Sequence, residues 1–128
     1  MMFSSEEVDL LRVDSRLRDL IKRGYRFVHR RDAEGNVHTV VGIRPHHTVV
    51  DIIRITDRDS AVATRIPGGE QDIFEPSVVL WRGAGPTGEV LEELLTLPEK
   101  PDPCGRRAIP GCWVPGEGGR ATWLAATG

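Results

Sequence analysis

The sequence predicts an α+β fold, in which an antiparallel sheet of about five strands in hairpin order carries an N-terminal and a C-terminal helix on one face. Three observations predict it: an amphipathic helical pattern opens the chain, short β-branched segments separated by turn residues follow, and a second helical pattern comes after them. The length of 128 residues is that of one domain. Residues 1–97 are predicted to form that domain and residues 98–128 a Pro/Gly-rich C-terminal extension.

The first helix is predicted over residues 5–23. Ser4 and Glu7 have the spacing of a capping box at its start. Gly24 can adopt the left-handed conformation that ends a helix. Apolar residues recur between these ends at helical spacing, namely Leu10, Val13, Leu17, Leu20 and Ile21.

A first hairpin is predicted around residues 32–36, with Asp32 paired to Asn36 across a three-residue loop. This register places Phe27, Val41 and Ile43 on one apolar face. His29 falls on the same face, where we expect a hydrogen-bonded core histidine. The opposite face is then basic.

The next two segments are predicted to form a second hairpin, after a break at residues 44–47, because Pro45 cannot donate to a strand ladder. Residues 48–56 are β-branched and almost continuously apolar, which is typical of a central strand. The predicted register pairs Ile55 with Val62 and leaves Asp51 on the apolar face.

A fifth, short strand is predicted over residues 78–81. The second helix is predicted from Pro86 or Thr87 to Leu97, because an apolar stripe runs through it and Pro98 ends it.

Composition limits the functional classes. A hydrophobic share of 39%, 28% charged residues and a net charge of −2 are typical of a globular protein. No apolar run approaches the length of a membrane span, and the acidic start lacks the basic and apolar regions of a signal peptide, so we expect a soluble cytoplasmic protein without a membrane segment. Nothing in the sequence points to a cofactor.

The charge is unevenly distributed. Residues 22–66 hold nine Lys or Arg against five Asp or Glu, a net +4, and they include all four histidines. Arg26, Arg30 and Arg44 are therefore the candidate anion-binding side chains. Weak nucleic-acid binding through this segment is one alternative. Against it stand an overall pI of about 6.1 and the lack of interleaved aromatic residues that stack on bases.

Asp51 together with His46 or His47 is the candidate acid–base group, because a carboxylate can orient a histidine from the preceding loop for general base catalysis. The competing interpretation is a structural Asp51 that forms a salt bridge with Arg65 or Arg44. No metal site is predicted, since the His and Cys spacings match no common zinc pattern.

Residues 83–88 match G-x-G-x-x-G, and Gly85 and Gly88 are candidates for contact with a phosphate or carboxylate at the start of the second helix. The motif comes late in the chain, without the parallel strand–helix–strand context of a dinucleotide site, so a tight strand-to-helix turn is the favoured interpretation.

The extension holds 11 Pro or Gly among its 31 residues, yet Trp113 and Trp123 are poor choices for a solvated tail. We expect both to be anchors, packed against the domain or against a partner. Cys104 and Cys112 could form a disulfide only outside a reducing compartment.

The function predicted from these observations is that of a small non-enzymatic accessory or regulatory protein that binds an unidentified protein partner, with homodimer formation as one form of it. The alternative is a small-ligand-responsive or catalytic domain with an Arg/His/Asp-lined pocket. A pocket lined by His46 or His47 with Asp51 favours the alternative, and an exposed patch over Trp113 or Trp123 favours protein binding.

Overall fold

The computed structural model describes residues 5–31, 37–57, 59–70, 72–98, 109–115 and 121–126. The chain forms helix α1 (Ser5–Arg23) and then strands β1 (Arg26–Arg31), β2 (Val37–His46), β3 (Val49–Asp57), β4 (Ser60–Pro67) and β5 (Trp81–Gly85). Helix α2 (Thr87–Thr96) and strands β6 (Gly111–Pro115) and β7 (Ala121–Ala125) complete it. The predicted fold class is confirmed: β1 to β5 form one antiparallel sheet in hairpin order, with two helices.

Both helices lie where the sequence predicts them. Helix α1 ends in a Schellman motif, in which Tyr25 N donates to Leu20 O at 3.1 Å and Gly24 N to Ile21 O at 3.0 Å. Gly24 has the predicted left-handed φ of 107°. The capping box at Ser4 lies outside the described residues.

The helices cover one face of the sheet. Their apolar stripes, from Leu17 and Leu20 in α1 and Val90, Leu91 and Leu94 in α2, pack on Ile53, Ala61 and Ala63 of the central strands. The small alanines let the helices approach the sheet closely. A hydrogen bond from Thr87 Oγ1 to Asp57 O, 2.6 Å long, ties the start of α2 to the end of β3.

A second, two-stranded sheet of β6 and β7, which we call the ribbon, covers the other face. Its inward side chains, Cys112, Val114 and Leu124, pack on residues of the sheet that point away from the helices, namely Val41, Ile43, Val50, Ile52 and Ile66. The central strands of the five-stranded sheet are therefore buried on both faces.

The predicted registers of both hairpins are wrong by one residue. The first keeps the predicted pair Arg31 with Val37, but a bulge then shifts the register and pairs Phe27 with Gly42. As a result Val41 and Ile43 lie on the face opposite to Phe27. In the second hairpin Ile55 pairs with Ala61 instead of Val62. The predicted registers gathered the apolar residues on one face, whereas the structure buries two faces and distributes them.

Strand boundaries differ from the sequence prediction at two places. Strand β2 continues through Pro45 to His46 and ends in a two-residue turn, in which His47 has a positive φ of 51°. Proline is tolerated because β1 pairs with β2 only as far as Ile43, so this end of β2 is an edge. Strand β5 begins at Trp81, while the predicted strand residues Val78, Val79 and Leu80 are exposed and precede it.

Candidate functional site

His46, Asp51 and Arg65 meet at the ends of β2, β3 and β4, on the helix-facing side of the sheet, and we call them the buried polar cluster. Arg65 donates to both oxygens of Asp51, from Nε at 2.7 Å and from Nη2 at 2.9 Å. His46 Nε2 lies 2.6 Å from Asp51 Oδ2. The exposed fractions are 0% for His46, 2% for Asp51 and 5% for Arg65.

Asp51 is the acceptor in all three of these contacts. Burial raises the pKa of Asp51, but the hydrogen bonds and charges of Arg65 and His46 outweigh burial and hold the pKa below its ordinary value. Since an ionised carboxylate only accepts hydrogen bonds, His46 Nε2 carries the proton in this contact. His46 Nδ1 is buried and has no hydrogen-bond partner among the described residues.

The buried polar cluster unites both interpretations of Asp51 that the sequence left open, the contact with His46 and the salt bridge to Arg65. Arg44, which is 6% exposed, lies directly opposite Asp51 in the register of β2 and β3. His47 is the turn residue, and its ring lies edge-on to that of His46 with centroids 5.4 Å apart. The side chains of His46 and Asp51 are both closed to solvent.

The surroundings of the cluster are held by backbone hydrogen bonds. Arg65 Nη1 donates to Pro98 O at 2.8 Å. The two carbonyls of the turn accept hydrogen bonds from Gly68 N, at Thr48 O, and from Ile109 N, at His47 O. Arg65 of the cluster thus bonds to Pro98, and the turn beside His46 bonds to Ile109. Both flanks of residues 99–108 are in this way held next to the three strand ends.

The G-x-G-x-x-G segment forms the end of β5 and the first turn of α2. Gly85 has a φ of 144°, and Gly88 lies in the first turn of α2. Gly83 lies directly under other side chains, because a Cβ there would come within 2.9 Å of the Trp81 ring and 2.7 Å of Glu93 Oε2. Since β5 is antiparallel to β4, the parallel unit of a dinucleotide site is not formed around this motif.

Trp113 and Trp123 are directly paired across the ribbon and point away from the sheet. Their rings are T-shaped with centroids 5.2 Å apart, and the two residues are 55% and 43% exposed. The residues that anchor the ribbon to the domain are instead Cys112, Val114 and Leu124. The exposed rings thus do not anchor the ribbon on the sheet, and the other alternative, that they are anchors for a partner, stays a prediction.

A groove of about 420 Å³ lies beside this aromatic pair, between β1 and β7. One wall is formed by residues 26–29 of β1 and the other by residues 122–125 of β7. Ile43, Phe74, Val114 and Pro115 complete the lining. Its side chains are mostly apolar, with Arg26 and His29 as the basic groups at the rim.

Arg26 is the one candidate anion-binding arginine that the structure brings to a groove. It is exposed, whereas Arg44 is buried, and the side chain of Arg30 lies outside the described part of the chain. His29, expected in the core, is exposed at the groove because the shifted register moves the neighbouring apolar residues to the other face.

The sequence singles out Trp123 and Arg26 as separate candidates, but it does not indicate that they line the same groove. The available signal was the alternation in both halves of the ribbon, where Cys112 and Val114, then Thr122 and Leu124, flank outward tryptophans with period two. That pattern predicts a hairpin with one buried face.

The remaining side chains give little support to a reactive thiol or to a metal site. Cys112 has a free thiol, and burial raises its pKa to about 11, so it stays protonated at neutral pH. Cys104 lies outside the described residues. Within the described segments, no three His, Cys, Asp or Glu side chains lie close enough to hold a metal ion, and no helix is long and apolar enough to cross a membrane.

Comparison with known proteins finds no matching family model, no significant match among curated proteins and none among solved structures.

Proposed function

We propose that this protein is a non-enzymatic accessory module that binds another protein through the outer face of the ribbon and the groove beside it. The observation that carries the proposal is the exposed, T-shaped pair of Trp113 and Trp123. Tryptophan is the side chain most enriched at energetic centres of protein interfaces, and its burial by a partner removes a large apolar area from water.

The ribbon is also preorganised for binding. Its inner face is fixed to the sheet through Cys112, Val114 and Leu124. Gly111 lies under the Trp123 ring, where a Cβ would come within 2.8 Å of that ring, so the indole is held flat across the strand. A surface that is already ordered loses less conformational entropy on binding.

The alternative, a ligand-binding or catalytic pocket at His46, His47 and Asp51, has less support. His46 and Asp51 are closed to solvent, and both oxygens of Asp51 are engaged by Arg65. A general base needs to reach a substrate proton, and the candidate base His46 has no exposed surface.

The test is capture followed by binary measurement. Wild-type chain, the double variant Trp113→Ala/Trp123→Ala and the control Leu80→Ala are immobilised and exposed to an extract of the native cell. Leu80 is a matched control because it is 54% exposed and lies beside β5, at the other edge of the sheet. Proteins retained by wild type and control but not by the double variant are purified and titrated individually by calorimetry.

We expect at least one purified partner to bind the wild type and the control equally. The double variant should bind at least about 30-fold more weakly, which corresponds to about 2 kcal/mol for the loss of an interface centre. Circular dichroism should show all three chains folded. If every purified candidate binds the double variant as tightly as the wild type, or if no retained protein depends on the tryptophans, the proposal is wrong. A mass measurement in solution identifies the case in which the partner is a second copy.

A further inference from the structure

Strand β1 is an edge of the five-stranded sheet, because its one neighbour is β2 among the described strands. In an antiparallel edge strand, alternate residues point both the N–H and the C=O outward, without a strand partner. Such an edge accepts an added strand through backbone hydrogen bonds, and this is a recurring mode of peptide recognition.

The groove runs along this free edge. Four consecutive residues of β1, 26–29, line it. Successive side chains of a strand point to opposite faces, so a groove that contacts all four must follow the backbone edge between the two faces. At about 3.3 Å per residue, these four span about 13 Å, enough for four residues of an extended segment.

The opposite wall has the same character. Residues 122–125 of β7 line it, and β7 pairs only with β6 among the described strands. The groove is therefore a slot between two free strand edges, with Trp123 at its rim.

Charge selects the occupant. Strand β1 reads Arg26-Phe27-Val28-His29-Arg30-Arg31, with three arginines in six residues. Arg26 is exposed and makes no ion pair with a described residue. A second copy paired through β1 would bring no carboxylate to Arg26, because the strand contains no Asp or Glu, and it would bring two basic strands together. A segment that carries acidic residues is attracted instead.

We infer that the groove binds an extended segment of a partner protein, with acidic and apolar residues in alternation, which adds as a strand to the free edge of β1. Its backbone pairs with β1, one of its carboxylates contacts Arg26, and its apolar side chains lie against Leu124 and Trp123. The inference rests on the proposed function and specifies the partner's chemistry.

A displayed library of random dodecapeptides is the probe, selected on three chains: wild type, Arg26→Glu and Arg82→Glu. Arg82 is the matched control, since it is an exposed arginine on β5, the other edge strand. The peptide most enriched on wild type is then synthesised in three forms: unmodified, and N-methylated at alternate residues in each of the two registers. Affinity is measured from tryptophan emission, because Trp123 lines the groove.

We expect the peptides enriched on wild type to alternate acidic and apolar residues, and the selected peptide to bind Arg26→Glu at least about tenfold more weakly than Arg82→Glu. N-methylation in the register that blocks the backbone hydrogen bonds should weaken binding to wild type by a similar factor, while the other register should not. Enrichment without acidic–apolar alternation, equal binding by the two charge variants, equal binding of both methylated registers, or no enrichment on wild type would each overturn the inference.

The two proposals fail separately. A purified partner that depends on Trp113 and Trp123, together with peptides that ignore Arg26, leaves the protein-binding function standing and removes strand addition at β1. Loss of both dependences removes both.

Discussion

The two faces of the sheet differ in the groups that they bury. Polar side chains are buried on the helix side, and large apolar rings are exposed on the ribbon side. On the helix side, His46, Asp51 and Arg65 are buried, and Asp51 accepts hydrogen bonds from the other two. On the ribbon side, Trp113 and Trp123 are exposed beside a strand edge whose outward backbone groups have no described strand partner. Residue types alone would assign chemistry to the first region and packing to the second.

The difference shows that burial and hydrogen bonding, rather than residue type, decide whether a side chain is free to bind a partner. Both oxygens of the Asp51 carboxylate accept hydrogen bonds inside the cluster, and the residue is 2% exposed, so it is not open to a ligand in solution. The apolar rings of Trp113 and Trp123 keep about half of their surface in water, and a partner can remove it from solvent.

The largest expected effect is on stability, from breaking the buried polar cluster. Asp51→Asn leaves the Arg65 charge buried without its counterion and should lower the free energy of unfolding by about 3 to 5 kcal/mol. Asp14→Asn, which breaks the exposed pair with Arg18, 3.0 Å long, should change it by less than about 1 kcal/mol. Urea denaturation of both variants checks this. Equal effects of the two substitutions would mean that Asp51 is not held in a buried ion pair.

A smaller effect is expected on the pH dependence of the stability difference between wild type and Asp51→Asn. The folded-state pKa of Asp51 lies below the ordinary 3.8, so its stabilisation is present above that value and is lost as pH falls through the folded-state pKa. The gap in unfolding free energy between wild type and Asp51→Asn should therefore stay constant from about pH 7 to pH 5 and shrink at lower pH. Denaturation midpoints across this range measure it, and a gap that grows on acidification contradicts the assignment.

The smallest expected effect separates the inner and outer faces of the ribbon. Val114→Ala removes two buried carbons and should cost about 1.6 kcal/mol, at about 0.8 kcal/mol for each. Trp113→Ala removes a larger side chain but only an exposed cross-strand contact, and should cost about 1 kcal/mol or less. If thermal or urea unfolding shows the tryptophan to matter more, the ribbon is anchored through its aromatic face instead.

Local signals predicted the parts of the fold that local physics determines. Helix α1, its glycine terminator at Gly24 and the hairpin order of the sheet follow from capping, periodicity and turn residues. The registers could not be predicted, because the prediction assumed one buried face. Once the ribbon covers the second face, Val41 and Ile43 have a core of their own and need not share a face with Phe27.

The candidate site was predicted only in fragments. His46 and Asp51 are close in sequence, so their contact could be expected, but the burial that closes them to solvent depends on distant segments such as Pro98. The groove joins residues 26–29 to residues 122–125, and a contact across that separation leaves no local signal. Arg26 and Trp123 could each be singled out as candidates, while their shared groove required the three-dimensional structure.

We propose that this protein binds its partner along the groove and the ribbon rather than at the buried polar cluster. An amide and indole NMR titration of the wild-type chain with the library-selected dodecapeptide tests it most directly. We expect the largest shifts at residues 26–29 of β1, at residues 122–125 of β7 and at the indoles of Trp113 and Trp123, with the signals of residues 46–51 and of Arg65 almost unchanged. Shifts concentrated at His46, Asp51 and Arg65, with the ribbon unaffected, would show that the peptide binds at the buried polar cluster and not along the groove.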